Sequence, residues 1–217
     1  MKLKPSLLMA AILAVGPLGA PIWAQAATET APNHSYTAAL QSMNAAAIDF
    51  STSGNATFDI QGDQLTIDIK VEGAPPNITH WQHFHGLQGR MAADCATPAA
   101  DINADGYVDL IETEPASGVT MVPFDKMPAA MDVAHGKYPM ASTSGTYHYH
   151  QVVSVKALSA AFTKAFDGQA LDLDKRVLLI HGVAAETNLP PTVQSLGPIP
   201  AQVTLPIACG KIERTDR

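Results

Sequence analysis

Leu65, Ile67, Ile69 and Val71 alternate strictly with Thr66, Asp68 and Lys70. Side chains two residues apart share one face of a strand, so this run specifies a β-strand with a single buried face. A helix would scatter the same apolar groups around its axis. Just upstream, Ala56, Phe58 and Ile60 alternate with Thr57 and Asp59, and the turn Gln61, Gly62, Asp63 joins the two runs. After the breaking residues 73–77, a third strand is expected from Ile78 to His85.

Downstream the code is looser. Residues 86–145 are rich in Pro, Gly, Asp and Met and read as a long loop insertion. A hairpin is expected next, 138–143 against 146–154, turning at Ser144 and Gly145. One short helix follows: Ser154 is its N-cap, Leu158, Ala161, Phe162, Ala165 and Phe166 recur at helical spacing, and Asp167-Gly168 stops it. Arg176–Val183 reads as a central strand and Gln202–Ile212 as the last one, with Val203, Leu205, Ile207 and Cys209 on one side. The whole is one all-β domain over 54–217. Residues 27–53, Ala-rich and without clear period, form an N-terminal lead-in, either a short helix or a loose segment.

The first 26 residues are expected to be a signal peptide. Lys2 and Lys4 precede an apolar run to Trp23, and Ala24-Gln25-Ala26 is a small-residue cleavage box. The protein is then periplasmic or secreted, with no membrane association after cleavage. The leader holds two of the thirteen Lys and Arg and none of the twenty Asp and Glu. Eleven positive against twenty negative groups leave a mature net charge of −9, which argues against nucleic acid as a partner. Two cysteines, Cys95 and Cys209, reaching an oxidising compartment are expected to pair; the alternative is a zinc thiolate site, although neither has a second cysteine nearby.

Three of the eight histidines fall within residues 80–85, in "HWQHFHG". On a strand, His83 and His85 project together with Trp81, while His80, Gln82 and Phe84 face the other way. Two imidazoles on one face can serve one ion. His181, ending the apolar run "RVLLIHGV", is the candidate third ligand. A donor set of nitrogen without thiolate suits copper or zinc.

The order of strand, turn, strand, "HFHG", Cys95, "RVLLIHGV" and "PIACGKIE" resembles the Cu,Zn superoxide dismutase family over roughly residues 54–95 and 145–213. The resemblance implies a Greek-key β-barrel or sandwich, copper ligands at His83, His85 and His181, a Cys95–Cys209 disulfide, and superoxide as a small-molecule substrate. The chain also departs from the pattern. The family places its zinc ligands, one bridging copper and zinc, where this chain has no histidine between Gly86 and Ala134. That argues against zinc. His135 in "AHGKYP", and His150 with His148 in "YHYHQ", are the candidates for a fourth ligand. Pro206 stands where the family has its active-site arginine.

One further motif lies outside the family pattern. Residues 101–112, "DINADGYVDLIE", match the twelve-residue calcium loop of EF-hands at every constrained position. Asp101, Asn103 and Asp105 supply side-chain oxygens, Gly106 the sharp turn, Tyr107 a carbonyl, Asp109 a direct or water-mediated contact, and Glu112 a bidentate carboxylate. The flanks "CATPAA" and "TEPASG" are not expected to be helical, so calcium would clip the loop and not drive a helix-pair sensor. Taken together, the chain reads as an exported, copper-binding superoxide dismutase-like protein with a calcium-stabilised loop. The alternative is a non-catalytic metal- or calcium-binding β-module, since residues 53–86 are also similar to the start of CHRD domains; copper storage or delivery is a third reading.

Overall fold

The computed structural model describes residues 33–89 and 91–216, and within them the alternating code becomes a barrel of antiparallel strands. These are β1 (His34–Ser42), β2 (Ser53–Gln61), β3 (Gln64–Glu72), β4 (Trp81–Gly86), β5 (Val119–Pro123), β6 (Tyr147–Ser154), β7 (Val177–His181), β8 (Pro206–Lys211) and the short β9 (Glu213–Arg214). The hydrogen-bonded order is β5-β4-β7-β8-β1-β2-β3-β6, with β9 added alongside β1. The signal-peptide reading of residues 1–26 lies outside the described residues.

That order is a Greek key: β3 pairs with β6 and not with β4, β4 pairs with β7, and β8 returns to β1. The two halves of the curled sheet face each other across one core. Phe58 on β2 meets Phe84 on β4 with 5.3 Å between ring centroids, and Phe84 meets Phe124, just past β5, at 4.4 Å. Leu65, Ile67, Ile69 and Val71 all point into this core, as the alternation requires. β5 and β6 end the path, and the tyrosines of β6 reach the far half of the sheet: Tyr149 Oη donates to the carbonyl of Asp125, just past β5 (2.6 Å), and Tyr147 Oη to Gln82 Oε1 on β4 (3.1 Å). The all-β barrel or sandwich expected from the sequence is therefore what the chain forms.

Several local expectations are corrected. The lead-in contains β1, which sends Tyr36, Ala38 and Leu40 inward between β2 and β8. Its alternation is diluted by alanines, which fit helix or strand alike. A four-residue helix α1 (Ala45–Ile48) follows it. The third strand starts only at Trp81, and Thr79 makes just an isolated bridge to Met140. The expected hairpin keeps its turn, with Ser142 N–H donating to the Thr146 carbonyl (2.9 Å), but β6 takes β3 as its partner over eight residue pairs.

The stretch after the calcium-type loop is helical after all, as α2 (Leu110–Ser117). Asp109 accepts from the backbone N–H of Ile111 (2.9 Å) and Glu112 (3.0 Å), and Glu112 Oε2 accepts from that of Asp109 (3.1 Å). This reciprocal capping box starts the helix, and Pro115 forfeits only the single bond its missing N–H would have made. The expected helix appears as α3 (Val155–Ala165), with Ser154 Oγ accepting from the Ala157 N–H (3.1 Å) and Leu158 and Phe162 buried. The final strand is shorter than expected, because Ala201–Thr204 forms a helical turn, α4, ahead of β8.

On the outer face of β7 and β8 the long insertion folds back as a cover. Val177, Leu179 and Cys209 pack there against Met43, Ala93 and Val108, with Cys95 and Ala96 beside them. Cys95 and Cys209 are bonded, closing a sequence separation of 114 residues. Loop closure of that length removes enough unfolded-state entropy to stabilise the fold by about 4–5 kcal/mol. Cys95→Ser with Cys209→Ser is accordingly expected to lower the urea-unfolding stability by roughly that amount, a loss also produced by reductant in the wild type.

Candidate metal centre

β4 is buried on both faces. Phe84 points into the barrel core, so His83 and His85 point outward, beneath the loops that cover this half of the sheet. On β7, Leu178 and Ile180 are the inward residues and Val177 and Leu179 the outward ones. By the same parity His181 emerges on the outer face. β4 and β7 pair so that Trp81 lies opposite His181 and His83 opposite Leu179. A register shift between Ile180 and His181 on the β8 side turns the strand end, as bulges near sites do.

The result is a triangle of rings. Centroid separations are 5.9 Å for His83–His85, 5.3 Å for His83–His181 and 5.4 Å for His85–His181. One nitrogen from each lies within 4.8 Å of the other two, and among the described residues no other group of three His, Cys, Asp or Glu donors is drawn together as tightly.

The remaining nitrogens fix which atoms face the centre. His85 Nδ1 lies 3.2 Å from the Gly118 carbonyl and His181 Nδ1 lies 2.8 Å from the Thr204 carbonyl. A carbonyl only accepts, so both Nδ1 atoms carry the proton and both Nε2 atoms keep a lone pair. Tyr138 Oη donates to the Val133 carbonyl (2.9 Å) and accepts from His83 Nε2–H (2.9 Å), which leaves Nδ1 as the free atom of His83. Trp81 stacks on the Tyr138 ring at 5.3 Å and holds it in place. Gly118 is needed for its part: its φ is 75°, and a Cβ there would sit 2.0 Å from the Gly86 carbonyl oxygen.

Three buried side-chain nitrogen or oxygen atoms lack any hydrogen-bond partner among the described residues: His83 Nδ1, His181 Nε2 and Asp105 Oδ2. The first two face one another across the triangle, and His85 Nε2 is met only by the Thr120 hydroxyl at 3.2 Å. An unmet buried polar atom costs about 1–3 kcal/mol, so a pair of them converging on one point needs a reason. A metal ion held between them would supply it. The donor set is neutral nitrogen only, each imidazole is oriented through its far nitrogen, and copper or zinc suits such ligands. The residues therefore fit a metal.

Burial also sets their protonation. Desolvation, and then the neighbouring imidazoles, push His83 well below its ordinary value; desolvation and His181 push His85 down to about 3; desolvation alone pushes His181 to about 4. All three are neutral at physiological pH and present lone pairs without first losing a proton. Tyr138 is held well above the usual phenol range by burial and by the charges of Asp125 and Asp132, so it remains a donor.

The other expected ligands lie elsewhere. His135 is exposed and hydrogen-bonds Asp132 (3.0 Å), and His150 is exposed beside Asp68 (3.2 Å); neither joins the triad, so the expectation of a fourth imidazole from either is corrected. An exposed loop and the outward face of β6 have nothing to carry those rings to the covered face of β4. His80 has both ring nitrogens against carbonyls, those of His181 (3.1 Å) and Pro75 (2.9 Å), and offers no free one.

In the calcium-type loop, Asp101 accepts from the backbone N–H of Asp105 (3.1 Å) and Gly106 (2.9 Å), Asn103 from Asp105 (2.9 Å), and Asp105 Oδ1 from Tyr107 (2.9 Å). Glu112 Oε1 reaches back to the Ile102 N–H (3.0 Å), and Asp109 Oδ2 accepts from the Gln194 N–H (2.6 Å). The loop is thus wound around its own side-chain oxygens, with Asp105 Oδ2 left over. Sequence reasoning missed Tyr138 and Thr120, which no local pattern marks. It also missed Gly118, whose place after a run ending in Ser117 is a readable helix stop.

No family model matches the chain, and no curated protein matches it either. Among solved structures, a double mutant of a SOD-like protein from Bacillus subtilis is similar at 18% identity, covering 80% of this chain and 94% of that one, with a TM-score of 0.40. The fold described above rests on the sheet order and core alone.

The depressed imidazoles give a testable pH dependence. Between about pH 6.5 and pH 4 the unfolded chain takes up protons at these histidines while the folded chain does not, so stability falls as pH falls. Each such group costs up to about 1.4 kcal/mol per pH unit in that window. The metal-free protein is expected to lose melting temperature from pH 7 to pH 5, and His181→Gln to flatten that slope.

Proposed function

We propose that the protein is an exported copper-binding protein of the superoxide dismutase type, holding one ion between His83 Nδ1, His85 Nε2 and His181 Nε2. The observation that carries this reading is the convergence of two orphaned nitrogens and one weakly met nitrogen on a common point. Bound copper would supply one-electron chemistry between Cu(II) and Cu(I), which superoxide disproportionation needs. The chain's own contribution is to keep three imidazoles neutral, to fix each through Tyr138, Gly118 or Thr204, and to exclude water. The Cys95–Cys209 bond belongs to an oxidising compartment and so supports export.

A second reading has its own support. His83 and His181 are each 2% exposed and His85 0%, and Pro206, not an arginine, lies beside His181. With the mature charge expected at −9, the overall field repels an anion, and Pro206 brings no cation to the place beside His181. A closed site of this kind favours holding a metal over turning a substrate, the role of a non-catalytic β-module. Binding and catalysis are separated by experiment. Reconstituted protein is expected to hold one tightly bound copper with nitrogen hyperfine structure in its Cu(II) EPR spectrum, lost in His83→Ala with His85→Ala; unchanged copper content in that variant would refute the site. If the loaded protein, under chelator, removes superoxide no faster than buffer, the non-catalytic reading stands.

We also propose that residues 101–112 bind calcium through Asp101, Asn103, Asp105, the Tyr107 carbonyl, Asp109 and Glu112. The unpartnered Asp105 Oδ2 and the positive-φ Gly106 support this. Calcium at a hundred times its dissociation constant is expected to stabilise the protein by about 2.7 kcal/mol, read as a rise in melting temperature. Asp101→Asn with Glu112→Gln should abolish the rise. Calcium indifference in the wild type would dispose of the proposal.

A further inference from the structure

The outward face of β3 and β6 carries a second group of metal-ligating side chains, which the triad does not use. β3 and β6 pair in unbroken register from Gln64–Ser154 to Val71–Tyr147, with Asp68 directly opposite His150 and Lys70 opposite His148. Tyr147, Tyr149 and Val153 fill the inward positions of β6, so His148 and His150 share the outward face with Asp68. One carboxylate oxygen, Asp68 Oδ2, stands 2.8 Å from His148 Nε2 and 3.2 Å from His150 Nδ1. The two imidazole side chains are 52% and 55% exposed and the carboxylate 28%, whereas the triad is closed to solvent.

We propose that His148, His150 and Asp68 form an open, exchangeable surface site for a divalent transition ion, copper(II) or zinc(II). Two imidazoles and a carboxylate are ligand types such ions accept at about 2.0–2.2 Å. Their backbones are fixed by the β3–β6 ladder, so binding orders only side-chain torsions. The nitrogens that now hydrogen-bond the carboxylate would turn their lone pairs to the ion. A ring that carries its single proton on the other nitrogen presents that lone pair. Water completes the coordination from the solvent side. Lys70 lies opposite His148 on this face, and its exposed, flexible stem lets the ammonium swing away. The site stands independently of the triad, because it shares no ligand with it.

The test is a calorimetric titration of metal-free full-length protein with zinc(II) and with copper(II). Wild type is expected to show one weak equivalent beyond any tight one. His148→Asn with His150→Asn should remove the weak equivalent alone, at unchanged melting temperature, and Asp68→Asn should weaken it. His83→Gln with His181→Gln should leave it in place, so failure at the triad and failure here are told apart. Substoichiometric copper(II) should also selectively broaden the ring proton NMR signals of His148 and His150 in the His83→Gln/His181→Gln variant, where the tight site is removed. The same number of equivalents in wild type and the His148/His150 variant, or no broadening of those signals, overturns the proposal.

Discussion

The pairing of β4 with β7 is the constraint on which the candidate centre depends. Neither strand alone can gather three imidazoles, since His83 and His85 come from one and His181 from the other. The ladder sets Trp81 opposite His181 and thereby puts the third ring within 5.3–5.4 Å of both partners, centroid to centroid. That ladder in turn exists because Phe84, Leu178 and Ile180 share the barrel core with Phe58 and Phe124. The hydrophobic packing inside the barrel therefore places polar atoms on its outside.

Much of this architecture was legible in the sequence wherever a residue's fate is decided locally. Strict alternation in residues 65–71 announced β3, Ser154 announced α3, and "HFHG" announced two rings on one face. Legibility failed where a distant partner decides. Residues 138–143 look like half of a hairpin, but β6 gains more by pairing with β3, and the segment instead delivers Tyr138 to His83. β1 hid behind alanines that suit either period. The helical status of residues 110–117 turned on the reciprocal Asp109–Glu112 cap, which the eye drawn to Pro115 discounts. The histidines were visible as candidates, but the sorting of triad from surface pair needed the faces of the two halves of the sheet.

The histidine triad and the 101–112 loop share a physical signature despite their different donor chemistry. All three unpartnered buried side-chain atoms among the described residues belong to them, two nitrogens in the triad and one oxygen in the loop. The motifs are also mechanically joined. The loop's last residues begin α2, α2 ends at Gly118, and the Gly118 carbonyl holds His85. The Cys95–Cys209 bond pins the same insertion to β8, next to β7.

The cover over the triad has a kinetic meaning. With all three rings sealed beneath Tyr138 and the folded-back insertion, nothing reaches or leaves them until that lid parts. Such opening has its own free energy, set by the packing of the lid and not by nitrogen–metal bond strength. How long any ion held there would dwell would then be set by the cover, which the Cys95–Cys209 bond tethers to β8.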